Sequence, residues 1–374
     1  MTPYLQVVEG VAGAALLLIV LVDIFNAVIV PRPTARSTSI SRYTIRPIWR
    51  LWRAVGNRST SITKREAILG IFAPAAIVIL LVVWILLEIL SYALLVHALR
   101  ADFTPQPRFF GAVYVAASSL FGVGQSGYIP SGHGGRMVVP AINATGLGTV
   151  ALVITFLFSL YGSFQKREAL VVTLDARAGA PPSGVTLLET HAKYQMLDRL
   201  PQLFLDWERW SAEVLDSHLA YPILTYFRSS HDNESWISAL GAVLDATALL
   251  LATHDHVPVG SAKMMHAMGT HLVEDLSYRF GLENDGSVMV ERQEFEDARR
   301  RLMAVGLPIH DDESGWESFS RMRSQYASRL NAMAQLWASP PAQWIGDRSS
   351  LLFHDRHSHQ EVARENQPAE QPAP

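Results

Sequence analysis

The chain has 374 residues, of which 49% are hydrophobic and 17% charged, against roughly 25% charged in an ordinary soluble protein. A net charge of −3 gives no overall basic field, so no nucleic-acid partner is expected. The absence of cysteine excludes disulfides, thiolate metal sites and cysteine nucleophiles. The length accommodates a membrane domain and one soluble domain.

Residues 1–31 contain an apolar run, Gly10 to Pro31, whose only charge is Asp23. Its arginines follow it rather than precede it, which predicts a retained first span and not a cleaved signal peptide. Asp23 and Asn26 fall near its inner end, where polar groups cost less than at mid-membrane. From Arg32 to Arg65 there are nine basic residues and no acidic one, so residues 32–66 form a cytoplasmic loop by the positive-inside rule. Within it, Ile48, Trp49, Leu51, Trp52 and Val55 alternate with Arg50 and Arg53. That is the pattern of a short interfacial helix with its tryptophans at headgroup depth. Its role is a topology anchor or, as a second reading, a basic lipid-sensing site.

Ala67 to Leu87 is uncharged for 21 residues, enough to cross a hydrocarbon core of about 30 Å, and Pro74 is a candidate kink. Glu88, Tyr92 and His97 follow toward the outer surface. Glu88 either pairs locally or braces the segment that comes next. That segment predicts a short helix over 109–120 and a loop over 121–130, with three glycines between Gly122 and Gly127 and Pro130 stiffening the exit. Irregular backbone at membrane depth is tolerated only where protein or water surrounds it, and this is the plan of a pore loop. Met137 to Gln165 is uncharged for 29 residues and ends at Lys166 and Arg167, giving a third span. Gly146 and Gly148 within it suit a hinge or close helix packing. Residues 67–165 thus read as one pore module of outer helix, pore helix, loop and inner helix (137–165).

Residues 166–185 are expected to be a linker, 186–352 a helical domain and 353–374 a disordered polar tail. Three apolar stripes at helical spacing carry the domain. They are Leu203, Trp207, Trp210, Val214 and Leu215; Trp236, Ile237, Leu240, Val243 and Leu244; and a longest one from Trp316 through Phe319, Met322, Tyr326, Leu330 and Met333 to Trp337. His231-Asp232, His254-Asp255-His256, His266 with His271 and Glu274, and His354, His357 and His359 are candidate metal ligands. Only His271 and Glu274 share one helix face convincingly, and a metal bundle needs several such pairs. Surface or capping roles are therefore expected, with no metal and no cofactor. Neither a Gly-rich phosphate loop nor a Gly-x-Ser-x-Gly elbow occurs, and no enzymatic role is expected.

The stretch LFGVGQSGYIP, Leu120 to Pro130, resembles the potassium-channel selectivity filter, Thr-Thr-Val-Gly-Tyr-Gly-Asp followed three residues later by Pro. Val123 and Gly124 fall on the Val-Gly and Pro130 on the Pro. The aromatic-rich helix before it and the following MVVPAINATGLGTVALVITFLF also resemble that family's pore and inner helices. LDWERWSAEVLDSHLAYPILTYFRSSHDNESW looks like the helical extension of bacterial two-pore-domain-like channels. The resemblance implies an ion-conducting filter at Gly122, Val123, Gly124, Gln125, Ser126 and Gly127, with Glu88 and Tyr128 as supports and Gly146 and Gly148 as an inner-helix hinge. It also implies a permeant monovalent cation, potassium by family, and a ring of four subunits. Gly122, Gln125, Ser126 and Gly127 depart from the family pattern, which implies weakened selectivity.

The resulting expectation is an all-α membrane protein: three transmembrane helices, a re-entrant pore helix and loop, and an all-α cytoplasmic domain. It would be a homotetramer in a bacterial plasma membrane in contact with lipid, N-terminus outside and C-terminus inside, its cytoplasmic ligand unspecified. The alternative is a non-conducting paralogue acting as a membrane scaffold or sensor. Topology is directly testable. A reporter active only outside the cytoplasm should be silent after Ser59 and active near Thr104, and the reverse pattern would remove the three-span arrangement.

Overall fold

The computed structural model describes residues 3–30, 40–59, 62–124, 127–229, 234–253, 259–307, 309 and 314–345, and these are helical almost throughout. In chain order come α1 (Pro3–Val28), α2 (Ile40–Gly56), α3 (Ile62–Gly70), α4 (Phe72–Ala98), β1 (Phe103–Thr104), α5 (Phe109–Leu120), β2 (Ile129–Pro130) and α6 (His133–Ala178). There follow α7 (Gly184–Lys193), α8 (Leu200–Ala220), α9 (Trp236–Thr253), α10 (Gly260–Phe280), α11 (Arg292–Ala304), α12 (Ser314–Arg323) and α13 (Ala327–Leu336). Two compact units result: Met1–Ser163 with Ala220–Phe227, and Phe164–Leu219 with Arg228–Pro374.

In the first unit α1 lies along α4. A Cβ at Gly13 would stand 2.8 Å from the Ser91 carbonyl, so glycine is what lets the two backbones meet. Asp23, the one charge in the apolar run, is buried. Its carboxylate accepts from the Trp84 indole at 2.8 Å and from the amide of Ile40, the first residue of α2, at 2.9 Å. A carboxylate at a helix N-terminus is well placed for the helix dipole. At the other end of α1, Glu9 meets His97 at 2.9 Å and Arg100 at 3.8 Å.

Two sequence expectations change here. The tryptophans of α2 do not face outward: Trp49 is buried, 4.8 Å from Phe72 and 5.1 Å from Tyr226 between ring centroids. Trp52 donates its indole N–H to the Ile68 carbonyl at 2.8 Å. A ring that finds aromatic partners and a carbonyl inside the protein has no need of headgroups. The second apolar segment also begins earlier than Ala67, running from Lys64 to Ala98 with a break at Ile71 between α3 and α4. Pro74 supplies no N–H for the Gly70 carbonyl, and its ring crowds it.

α6 does not stop at Gln165. It continues to Ala178, where Gly179 turns left-handed (φ +79°), so most of the expected linker 166–185 is helix. Val171, Leu174 and Ala178 on that extension are buried, and burial of an apolar stripe holds a segment helical whatever its flanks suggest. Among the described residues, four helical segments are long and apolar enough to cross a membrane: Tyr4–Val28, Lys64–Ala98, His133–Ala178 and Trp236–Thr253. The fourth was expected inside the helical domain. Its apolar stretch is 89% buried, as befits a core helix.

That helix, α9, is the centre of the second unit, with α7, α10, α12 and α13 packed around it. Gly184 and Gly269 let α7 and α10 approach closely: their Cβ atoms would stand 2.5 Å from the Ala242 carbonyl and 2.8 Å from Leu244. The first two stripes are buried as expected. The third divides into α12 and α13, with residues 324–326 forming a turn. The division serves a buried polar group. Asp245 accepts from Arg323 Nε at 2.8 Å and from the Tyr326 hydroxyl at 2.6 Å, while Arg323 also donates to the Trp344 and Val288 carbonyls.

A second buried charge sits at Arg167, which pairs with Glu168 at 2.9 Å and reaches His218 Nε2 at 3.2 Å. Burial first, and the Arg167 charge second, hold His218 well below its ordinary range. The ring is therefore neutral, and its Nε2 can accept from the guanidinium.

Losing one partner of a buried pair strands the other. Arg323→Met should cost about 3–5 kcal/mol, whereas Asp245→Leu combined with Arg323→Met should cost much less. Urea unfolding of the full chain in detergent, followed by tryptophan fluorescence, measures both. Equal losses in the two variants would show that the pair is not coupled.

Candidate functional site

The site is built from the short helix and glycine-rich loop between α4 and α6. α5 occupies Phe109–Leu120. Ala112, Val115, Ala116 and Leu120 form one stripe of it, packed with Tyr92, Ala93 and Val96 of α4, Phe103 of β1 and Ile142 of α6. The opposite face leaves Phe110, Tyr114 and Phe121 exposed. At the near end a Cβ on Gly111 would stand 2.6 Å from the Tyr128 hydroxyl. Tyr128, expected to support the loop, thus lies over the first turn of α5.

At the far end the chain folds back on the helix. Gly122 N–H donates to the Ser119 carbonyl at 2.9 Å, and the Val123 and Gly124 N–H groups donate to the Ser118 carbonyl at 2.8 and 3.4 Å. Gly122, Gly124 and Gly127 have φ of +70°, +76° and +72°, a region costly for side chains other than glycine. In a trans peptide the C=O points opposite to the N–H of the next residue, so with those amides turned toward α5 the carbonyls of Phe121, Gly122 and Val123 face away from it. Gln125 and Ser126, two of the six expected filter positions, lie outside the described residues.

Three ties hold the loop's frame. The first is Gly146 of α6, whose absent side chain makes room for the Leu120 carbonyl; a Cβ there would also stand 2.9 Å from the Leu120 carbonyl carbon. α6 runs unbroken through Gly146 and Gly148, and Gly148 has open space beside it. The second is a rung between α4 and α6. Thr149 donates to Glu88 Oε1 at 2.8 Å and the Tyr92 hydroxyl meets that of Thr145 at 2.6 Å, so two side chains one turn apart on each helix are paired. Glu88 is fully buried, and its bond is to α6.

The third tie was not anticipated from the sequence. Asp102 accepts from Ser131 and Gly132 N–H at its backbone carbonyl, at 2.8 and 3.0 Å, and from Gly135 N–H at its carboxylate, at 3.2 Å. It caps the start of α6 beside the pairing of Phe103 with Pro130 and Thr104 with Ile129. The signal was the run Ser131-Gly132-His133-Gly134-Gly135: Cβ atoms at its glycines would meet Asp102.

The expected metal candidates do not converge. His271 faces Asp275 at 3.7 Å, Glu274 pairs with Arg329 at 3.3 Å, and His266 is buried against Thr247 at 3.2 Å. Among the described residues no group of three His, Asp or Glu side chains could hold a metal. His231-Asp232, His254-Asp255-His256 and the tail histidines lie outside the described residues.

What the arrangement offers is therefore backbone chemistry. A helix C-terminus carries about half a negative charge, and α5 directs its own at the loop. Compared with known protein families, curated proteins and solved structures, the chain matches none.

Gly146 and Gly148 make a paired test. Gly146→Ala drives a methyl into the Leu120 carbonyl and should destabilise by ~1–3 kcal/mol. Gly148→Ala, in open space, should be neutral or stabilising by up to ~1 kcal/mol. Thermal unfolding of the two variants in detergent reads the difference, and equal midpoints would refute the Leu120 contact.

Proposed function

We propose that the chain is the subunit of a cation-conducting membrane channel of potassium-channel architecture. α1, α3–α4 and the first part of α6 serve as the three spans, and α5 with its loop re-enters between the last two. A single loop cannot enclose an ion, so four copies form the pore. The N-terminus lies outside a bacterial-type plasma membrane, and the second unit is cytoplasmic.

The observation that carries this reading is the loop itself. Left-handed glycines at alternate positions turn the amides of residues 122–124 onto α5. Carbonyls freed in this way are the groups that replace an ion's hydration shell in a filter. The α5 C-terminus adds a fixed negative pole nearby. The motif resemblance at Val123, Gly124 and Pro130 points the same way.

The loop departs from the family pattern at the positions that set selectivity. Gly122 offers no hydroxyl below the Val-Gly pair, and Gln125, Ser126 and Gly127 replace the family's Tyr-Gly-Asp. Fewer well-formed sites mean poorer discrimination between potassium and sodium. That loss is also what favours the second reading, a non-conducting scaffold or sensor.

Purified protein in liposomes separates the two. Reversal potentials under opposing potassium and sodium gradients should show weak potassium preference in the natural chain. Gly122→Thr, Gln125→Tyr, Ser126→Gly and Gly127→Asp together should increase it. Strong preference in the natural chain would overturn the view of its filter, and silence in both forms would favour the scaffold.

A further inference from the structure

The outward face of α2 is unexplained by the pore. Trp49 and Gly56 face inward, Gly56 against Leu69. The opposite side exposes Tyr43, Arg46, Arg50, Leu51 and Val55, with Arg58 exposed just beyond the helix end. Cations and apolar groups thus share a single stripe, and α2 contains no acidic residue. An ordinary solvated face would carry both signs of charge and few bare apolar groups. The location is constrained as well: the first amide of α2 is held by Asp23, five residues before the end of α1 at Val28, and the helix leads through α3 into α4.

We propose that this face docks on the anionic lipid headgroups of the membrane leaflet next to α2. The arginines would meet headgroup phosphates, while Tyr43, Leu51 and Val55 enter the boundary between headgroups and acyl chains. Docking rests on α1 and α4 crossing the membrane, as proposed above, and not on ion conduction. Charge complementarity selects the occupant. A protein partner would need a matching acidic apolar patch, whereas an anionic leaflet lies beside any helix tethered between two spans. Each arginine near such a surface favours the docked state about fivefold, so three together favour it on the order of a hundredfold.

The chain has no cysteine, so Leu51→Cys gives a unique site for an environment-sensitive nitrobenzoxadiazole label. Full-length labelled protein is reconstituted in phosphatidylcholine vesicles with or without phosphatidylglycerol. Only protein that stays in the vesicles after alkaline extraction is counted, which separates failure to span from failure to dock. Phosphatidylglycerol should shift the emission to the blue and raise it. High salt should reverse this without any further variant, and Arg46→Gln, Arg50→Gln and Arg58→Gln together should abolish it. An identical spectrum in both lipids would overturn the proposal, pointing to a protein neighbour if blue-shifted and to a solvated face if not. Inorganic phosphate reproducing the shift in phosphatidylcholine vesicles would overturn the lipid as the source.

Discussion

The Leu120 carbonyl occupies the place where any other residue at 146 would have its Cβ, and the frame of the first unit follows from that contact. It seats the end of α5 on α6, beside the turn in which the Ser118 and Ser119 carbonyls receive the amides of residues 122–124. Each backbone amide must place its hydrogen bond somewhere, and here the last turn of the preceding helix takes those of residues 122–124. The remaining ties keep the seat from opening. Glu88 and Tyr92 fix α4 to α6 through Thr149 and Thr145, and Asp102 fixes the chain as it leaves the loop. All three ties rest on groups that glycine leaves room for or that hydroxyls satisfy.

The first unit is also not finished by the first part of the chain. Ala220–Phe227 returns to it after α8. Tyr226 joins the Trp49 and Phe72 rings, and Tyr221 and Phe227 stack edge-on against Phe156 and Tyr161 of α6. Contacts this far apart in sequence form late and cost loop-closure entropy. They are worth that cost only if the aromatic surface on α2, α4 and α6 must be covered.

Much of this was legible in the sequence, and the reasons differ by element. The stripe of α8 was readable because burial of one face imposes a period, and α9 because its residues are apolar and buried almost all round. The end of α6 was misread because alanine, glycine and proline near 179–182 suggested a linker, while burial of Val171 and Leu174 keeps the segment before them helical. The break between α12 and α13 carries no glycine or proline. It follows from Arg323 and Tyr326 both turning to Asp245, a long-range demand that local sequence does not announce. Trp49 was assigned to headgroups because its aromatic partners lie 23 and 177 residues away in the chain. Asp102 was overlooked for a similar reason: its partners follow α5 and the loop.

The departures from the potassium-channel motif and the observed ties bear on one another. The resemblance expects an acidic residue at 127 to hold the filter mouth, and glycine stands there. Asp102, from the segment before α5, holds the residues directly after the loop instead, through three backbone amides. Two of these reach its neutral backbone carbonyl and one, from Gly135, its carboxylate. A bond to a charged acceptor contributes roughly 1.5–3 kcal/mol, and together they anchor the exit without help from position 127. Below Val123, Gly122 has no side chain, and the nearby Ser118 hydroxyl donates back to Val115 at 3.2 Å. The exit of the loop therefore has a second source of support, whereas the hydroxyl that the resemblance expects below Val123 has none. The exit of the loop is thus held by Asp102 in place of an acidic residue at 127, while the position below Val123 is left without a hydroxyl.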